Sequence, residues 1–245
     1  MASSPSPRSI SSLGNTLLYF SKYDYPLTSH ELWFWQHGTK SISPSSVPPL
    51  KLRGGKGVIF KNGDQLSKIK FIEAIFVTGS LAMSNCTPEA DIDLMIITSP
   101  ATLWLTRILV YLSLRSLRRK PQVISAPDKI CDNLYLDMRH LSISPPDLYR
   151  AHEVLQAKCL FDRGGVYHKF LLSNSWVEKY LPVAYRETLQ KIPVNMIHNS
   201  LFIIQFILWP LNLLAFVLQF AYMRSKMTTE RVGLGYAFFH PQSPM

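Results

Sequence analysis

A chain of 245 residues that is 47% hydrophobic and 17% charged has the material for one or two packed domains, which excludes a mainly disordered protein. Its net charge of +10 favours polyanionic partners such as nucleotides, nucleic acid or an anionic membrane face. Cys86, Cys131 and Cys159 are odd in number and lack metal-ligand spacing, which excludes a disulfide framework or a structural zinc site.

The opening MASSPSPRSISS has no apolar core of a secretory signal, so cytoplasmic residence is expected, with residues 1–12 as a flexible tail. LGNTLLYFSKYDYPLTSHELWFWQHG then gives two helical patches broken at Tyr25-Pro26. Thr28 and Glu31 have the spacing of a capping box, with Leu27 and Leu32 as its hydrophobic staple. Pro44, Pro48 and Pro49 forbid a regular helix in the next stretch, and GGKGVIFKNGD reads as a short hairpin with an Asn-Gly turn.

Two helices, an irregular piece and a hairpin describe a degenerate winged-helix-like module over 13–65. Lys51, Arg53, Lys56, Lys61, Lys68 and Lys70 against the single Asp64 make its wing basic. This is either a nucleic-acid contact or a packing module with solvated lysines, and the prolines standing where a recognition helix belongs favour packing.

From residue 66 the pattern changes to apolar strands separated by helices. FIEAIFV (71–77), ADIDLMII (90–97), KICDNLYLDM (129–138) and KCLFDRGG (158–165) read as four strands. SPATLWLTRILVYLSLRSLRRK reads as a helix with Ser99 as N-cap and Pro100 at its first position, ending in the cations Arg115, Arg118, Arg119 and Lys120. The fold class expected is α/β, with a small mixed sheet over 66–170 and a helical region over 171–245.

Asp91 and Asp93 stand at i and i+2 of a strand, so both carboxylates project from one face and can hold divalent cations. Gly79-Ser80 follows directly after the preceding strand, where glycine lets the backbone approach a ligand and the next amides can face phosphate oxygens. The spacing Gly-Ser, ten residues, Asp-Ile-Asp-Leu resembles the signature of the polymerase-β-like nucleotidyltransferase superfamily. YDYPLTSHELWFW, VTGSLAMSN, DIDLMIIT, LWLTR, KICDNLYLD, AHEVLQAK, LFDRGGVY and NSWVEKYLP resemble segments of one group of uncharacterised bacterial and archaeal members, over about residues 13–182.

The resemblance implies that Asp91 and Asp93 bind Mg²⁺, that Gly79 and Ser80 hold the phosphates of an NTP, and that a third acid on a neighbouring strand activates a hydroxyl acceptor. Asn133 and Asp137 are expected to share a strand face with Asp132 opposite, and Asp162 lies in LFDRGG; Asp137 is taken for the third acid. Arg107 either reaches a phosphate or extends to solvent from the edge of an apolar helix face. His152 and Glu153 read as surface or supporting residues, and Arg163 as part of a turn. Only QLSKIK separates Asp64 from Phe71, shorter than the basic helical segment that the resemblance implies there.

SLFIIQFILWPLNLLAFVLQFAYM, 200–223, carries no charge over 24 residues, 19 of them apolar or aromatic. A helix of about 20 apolar residues is long enough to span a bilayer. Gln205, Asn212 and Gln219 recur every seven residues and form a polar stripe, as for a helix packed on a protein surface. Membrane attachment, coverage of the sheet and contact with a second copy of the chain all remain open readings.

Overall fold

Apolar β-branched runs bounded by turn residues build the centre of the molecule. In the computed structural model, described over residues 12–22, 27, 29–35, 63–83, 90–118, 129–193 and 202–239, these runs form a six-stranded mixed sheet. Its strands are β1 (Ile72–Val77), β2 (Ile92–Thr98), β3 (Ile130–Asp137), β4 (Lys158–Asp162), β5 (Arg231–Val232) and β6 (Tyr236–Phe238), in the order β4-β1-β2-β3-β6-β5. Only β2 and β3 are parallel; every other neighbouring pair is antiparallel. The helices are α1 (Ser12–Ser21), α2 (Ser29–Phe34), α3 (Gly79–Ala82), α4 (Leu103–Ser113), α5 (Leu148–Gln156), α6 (Val166–Ser173), α7 (Pro182–Lys191) and α8 (Phe202–Arg224).

The four expected strands are present within a few residues of their predicted ends. The hairpin β5/β6 is an addition, formed by a stretch expected to be helical. Residues 63–67 are helical, where an Asn-Gly turn was expected. Thr28, the three prolines of 44–49 and the basic residues Lys51, Arg53, Lys56 and Lys61 lie outside the described residues, as do Cys86, Arg119 and Lys120.

The chain divides into two compact units. One comprises residues 1–50, 143–155 and 175–192; the other comprises 51–142, 156–174 and 193–245 and holds the whole sheet. In the first, His152 is fully buried, stacked 4.1 Å from the Tyr19 ring and 5.1 Å from that of Phe20, so it is a core residue and not a surface one.

In the sheet unit, Ile75, Val77, Ile92, Leu94, Ile96 and Tyr135 pack with Trp104 and Val110 of α4 and with Ala215 of α8. The opposite face is covered by α6, whose Phe170 and Tyr167 rings lie 5.8 Å and 5.1 Å from Phe76.

The first turn of α4 departs from expectation. Ala101 takes a left-handed φ of 58°, so Ser99 and Pro100 belong to the preceding turn and the helix begins at Leu103. The amides of Trp104 and Leu105, which have no partner within the helix, instead donate to Asn212 Oδ1 at 2.9 Å and 3.3 Å. Gln219, one period further along α8, donates to the Trp104 carbonyl at 2.9 Å and accepts from Arg107 at 2.6 Å. The polar stripe of α8 is therefore spent on α4; the side chain of Gln205 lies outside the described residues.

Candidate functional site

The acids at the start of β2 meet the turn after β1. β1 and β2 are antiparallel with Val77 opposite Leu94, so the end of β1 lies beside the start of β2, and the Thr78 amide donates to the Asp93 carbonyl at 3.0 Å. Alternation along β2 sends Leu94 and Ile96 toward α4, leaving Asp91, Asp93 and Met95 on the α6 side.

Gly79 opens α3 with a φ of 66°, a conformation that side-chain-bearing residues resist. A Cβ placed there would stand 2.4 Å from Asp93 Oδ2 and 3.2 Å from its Cγ. Both the left-handed turn and the close approach require glycine. Ser80 follows on the exposed side of the turn, and Asp93 itself is buried.

The remaining wall comes from β3. Cys131 stands opposite Asp93 in the parallel pairing, and one ligand atom from each of Asp91, Asp93 and Cys131 lies within 4.8 Å of the others. Two residues along, the buried Asn133 amide donates to Asp93 Oδ1 at 2.6 Å. Cys131, which lacks metal-ligand spacing in the sequence, joins the acids only through strand pairing. The signal was present: parallel strands that begin together, Ile92 opposite Ile130, bring the second residue of each strand side by side.

Asp137 does not join this group. The pairing slips between Asp93 and Met95: Asp93 faces Cys131 but Met95 faces Leu134, so β3 spends three residues where β2 spends two. The slip reverses the alternation, and the expected shared face of Asn133 and Asp137 does not exist. Asp137 also lies six residues beyond Cys131, about 20 Å along the strand. Its fully buried carboxylate accepts from the Ala101 amide at 2.6 Å, the Arg139 amide at 2.8 Å and the Arg139 guanidinium at 3.1 Å and 3.2 Å. These bonds make it the anchor of the turn before α4.

The other acids are also engaged. Asp132 pairs with Arg118 and accepts from Tyr135 Oη at 2.8 Å. Asp162 caps α6, accepting from the Val166 amide at 2.7 Å. Arg163 donates to the carbonyls of Ile72 and Ser67 at 3.1 Å and 3.0 Å, tying the turn after β4 to the region before β1.

Arg107 is on α4, across the sheet from Asp93. Its guanidinium lies 4.4 Å above the Phe239 ring and 5.8 Å from that of Trp104, and burial lowers its pKa from the ordinary value. It neither reaches the acid pair nor extends freely into solvent.

Comparison with protein-family models and with curated proteins finds no match.

Proposed function

We propose that the Asp91, Asp93 and Gly79 corner is a metal-dependent nucleotide site. The proposed reaction is transfer of a nucleoside monophosphate from an NTP to a hydroxyl-bearing acceptor, with release of pyrophosphate. One observation carries this reading: the Asp93 carboxylate, grouped with that of Asp91, closes against a left-handed glycine turn too tight for any side chain. That is the arrangement implied by the resemblance to polymerase-β-like nucleotidyltransferases. The finer fold assignment, a nucleotidyltransferase domain preceded by a winged-helix-like module, belongs to the same proposal.

The donor set fits a divalent cation. Two carboxylates suit Mg²⁺, and the Cys131 thiol adds a softer donor that Mn²⁺ or Zn²⁺ accepts more readily. Such an ion, when bound, would neutralise phosphate charge as it develops. Asn133 fixes the orientation of Asp93 by holding Oδ1, which leaves Oδ2 directed at the Gly79 turn. Gly79 keeps that approach open, and Ser80 offers a hydroxyl at the exposed edge for phosphate contact.

A second reading is supported by the residues facing Asp93. Cys131 and Asn133 occupy the neighbouring strand there, so no carboxylate among the described residues of β3 is placed to take the acceptor's proton. That favours a module that binds nucleotide without transferring it.

The two readings separate in one experiment. Titration with NTP and Mg²⁺ or Mn²⁺ is expected to show metal-dependent binding that Asp93→Asn removes. Incubation of α-labelled NTPs with cell extract then reports transfer, through a labelled product absent from the Asp91→Asn/Asp93→Asn variant. Binding without product selects the silent module. Unchanged metal-dependent binding by Asp93→Asn would sink both.

A further inference from the structure

The stretch Ile207–Arg224 is the one described helix long and apolar enough to cross a membrane. Only Asn212 and Ala215 of that stretch are buried. Ile207, Trp209, Leu211, Leu214, Val217, Leu218 and Tyr222 all turn outward, with Ile207 68% and Leu218 63% exposed. α4 adds exposed Ile108, Leu109, Tyr111 and Leu112. So much outward apolar surface marks a binding face.

We infer that this face is a docking surface for an anionic lipid bilayer, on which α8 lies in the plane of the headgroups instead of crossing. Charge complementarity selects the occupant. Neither α4 nor α8 contains an acidic residue, and cations stand at the C-terminal end of α8. Arg224 is the last residue of α8 and Lys226 follows it. Midway along α8, Trp209 and Leu213 line a cavity of about 300 Å³ together with Leu234 and Arg139, whose guanidinium is already paired with Asp137. Basic residues flanking apolar and aromatic ones match an interface where headgroup phosphates lie above acyl chains. A second copy would bring another +10 chain against the same cations.

The in-plane orientation follows from the polar stripe. Asn212, 3% exposed, and Gln219 are held by hydrogen bonds to α4, which is itself packed on the sheet. A crossing helix would have to break these bonds and carry both amides into hydrocarbon, where unpartnered polar groups are strongly disfavoured. Lying flat keeps them on the protein side and directs the apolar side down.

Flotation of the full chain with vesicles tests this. Binding is expected to equal mixtures of phosphatidylcholine and phosphatidylglycerol and to be at least tenfold weaker, in order of magnitude, on phosphatidylcholine alone. Arg224→Gln/Lys226→Gln should weaken binding to the mixed vesicles by about thirtyfold. Ile207→Glu/Leu218→Glu, at two exposed positions, should abolish it while leaving the unfolding midpoint in place. Failure of the unaltered chain to float, or equal binding to both vesicle types, overturns the proposal. So does a dimer that Ile207→Glu/Leu218→Glu converts to monomer without loss of vesicle binding. Carbonate extraction reads the orientation: Asn212→Leu increases the resistant fraction only if α8 crosses the bilayer, which overturns the in-plane arrangement.

Discussion

Replacing Gly79 by alanine measures how tightly the turn is built against Asp93. At φ 66° the alanine Cβ meets the carbonyl oxygen of its own turn, a strain of about 1–2 kcal/mol. The same Cβ would stand 2.4 Å from Asp93 Oδ2, so the carboxylate must rotate and give up the 2.6 Å bond from Asn133. A hydrogen bond to a charged group contributes about 1.5–3 kcal/mol, which brings the expected loss to about 2.5–5 kcal/mol.

Asp93→Ala separates the backbone strain from the collision with the carboxylate. Truncation removes Oδ2 and Cγ and leaves the Asp93 Cβ at 3.4 Å, an ordinary contact. The Asn133 bond is then lost once in the double variant instead of once in each single variant. Urea unfolding of the four proteins should give a coupling of about 1.5–3 kcal/mol, with the backbone strain persisting in the double variant. Additivity to within about 0.5 kcal/mol would refute the proposed collision between the turn and the carboxylate.

Asp137→Ala should lower stability by about 2–4 kcal/mol, because it strips the acceptor from two backbone amides, while metal binding per folded molecule stays at the level of the unaltered chain; chemical unfolding and metal titration read the two parts. Asn212→Ala should lose about 1–3 kcal/mol, since it leaves the buried Trp104 amide without its acceptor; hydrogen exchange of the first turn of α4 should accelerate with it. Burial, reinforced by Asp132, pushes the Tyr135 hydroxyl well above its ordinary value, and burial does the same at Tyr167. A raised folded-state pKa stabilises fully below the unfolded value of about 10 and loses that contribution as pH rises toward the folded value. The urea midpoint should therefore fall above pH ~10, less steeply in Tyr135→Phe/Tyr167→Phe.

The strands were legible because each is an apolar run closed by turn residues, and burial on both faces of the sheet demands such runs. Asp91 and Asp93 were legible for a related reason, as two charges interrupting one of those runs. The polar stripe of α8 was visible as a period of seven, but not its partners, since hydrogen bonds spanning more than 100 residues leave no local trace. Alternation alone placed Asp137 beside Asn133; the slip in pairing against β2 belongs to two strands at once and cannot be read from either. The β5/β6 hairpin escaped because two and three residues are too few to establish a period. Its local signal was the pair Gly233 and Gly235 between Val232 and Tyr236, where the Gly233 amide donates to the Tyr236 carbonyl at 2.8 Å.

The position of β6 bears on how the chain is made. β3 is complete at Asp137, but the neighbour that closes its outer side is Tyr236–Phe238, about a hundred residues later in synthesis. Throughout that interval the nascent sheet offers the ribosome's surroundings an open edge of unpaired amides and carbonyls. A chaperone holding that edge, or faster elongation that shortens the wait, would raise the yield of native protein. Any shortened chain that stops before Tyr236 would keep the opening for good and tend to precipitate.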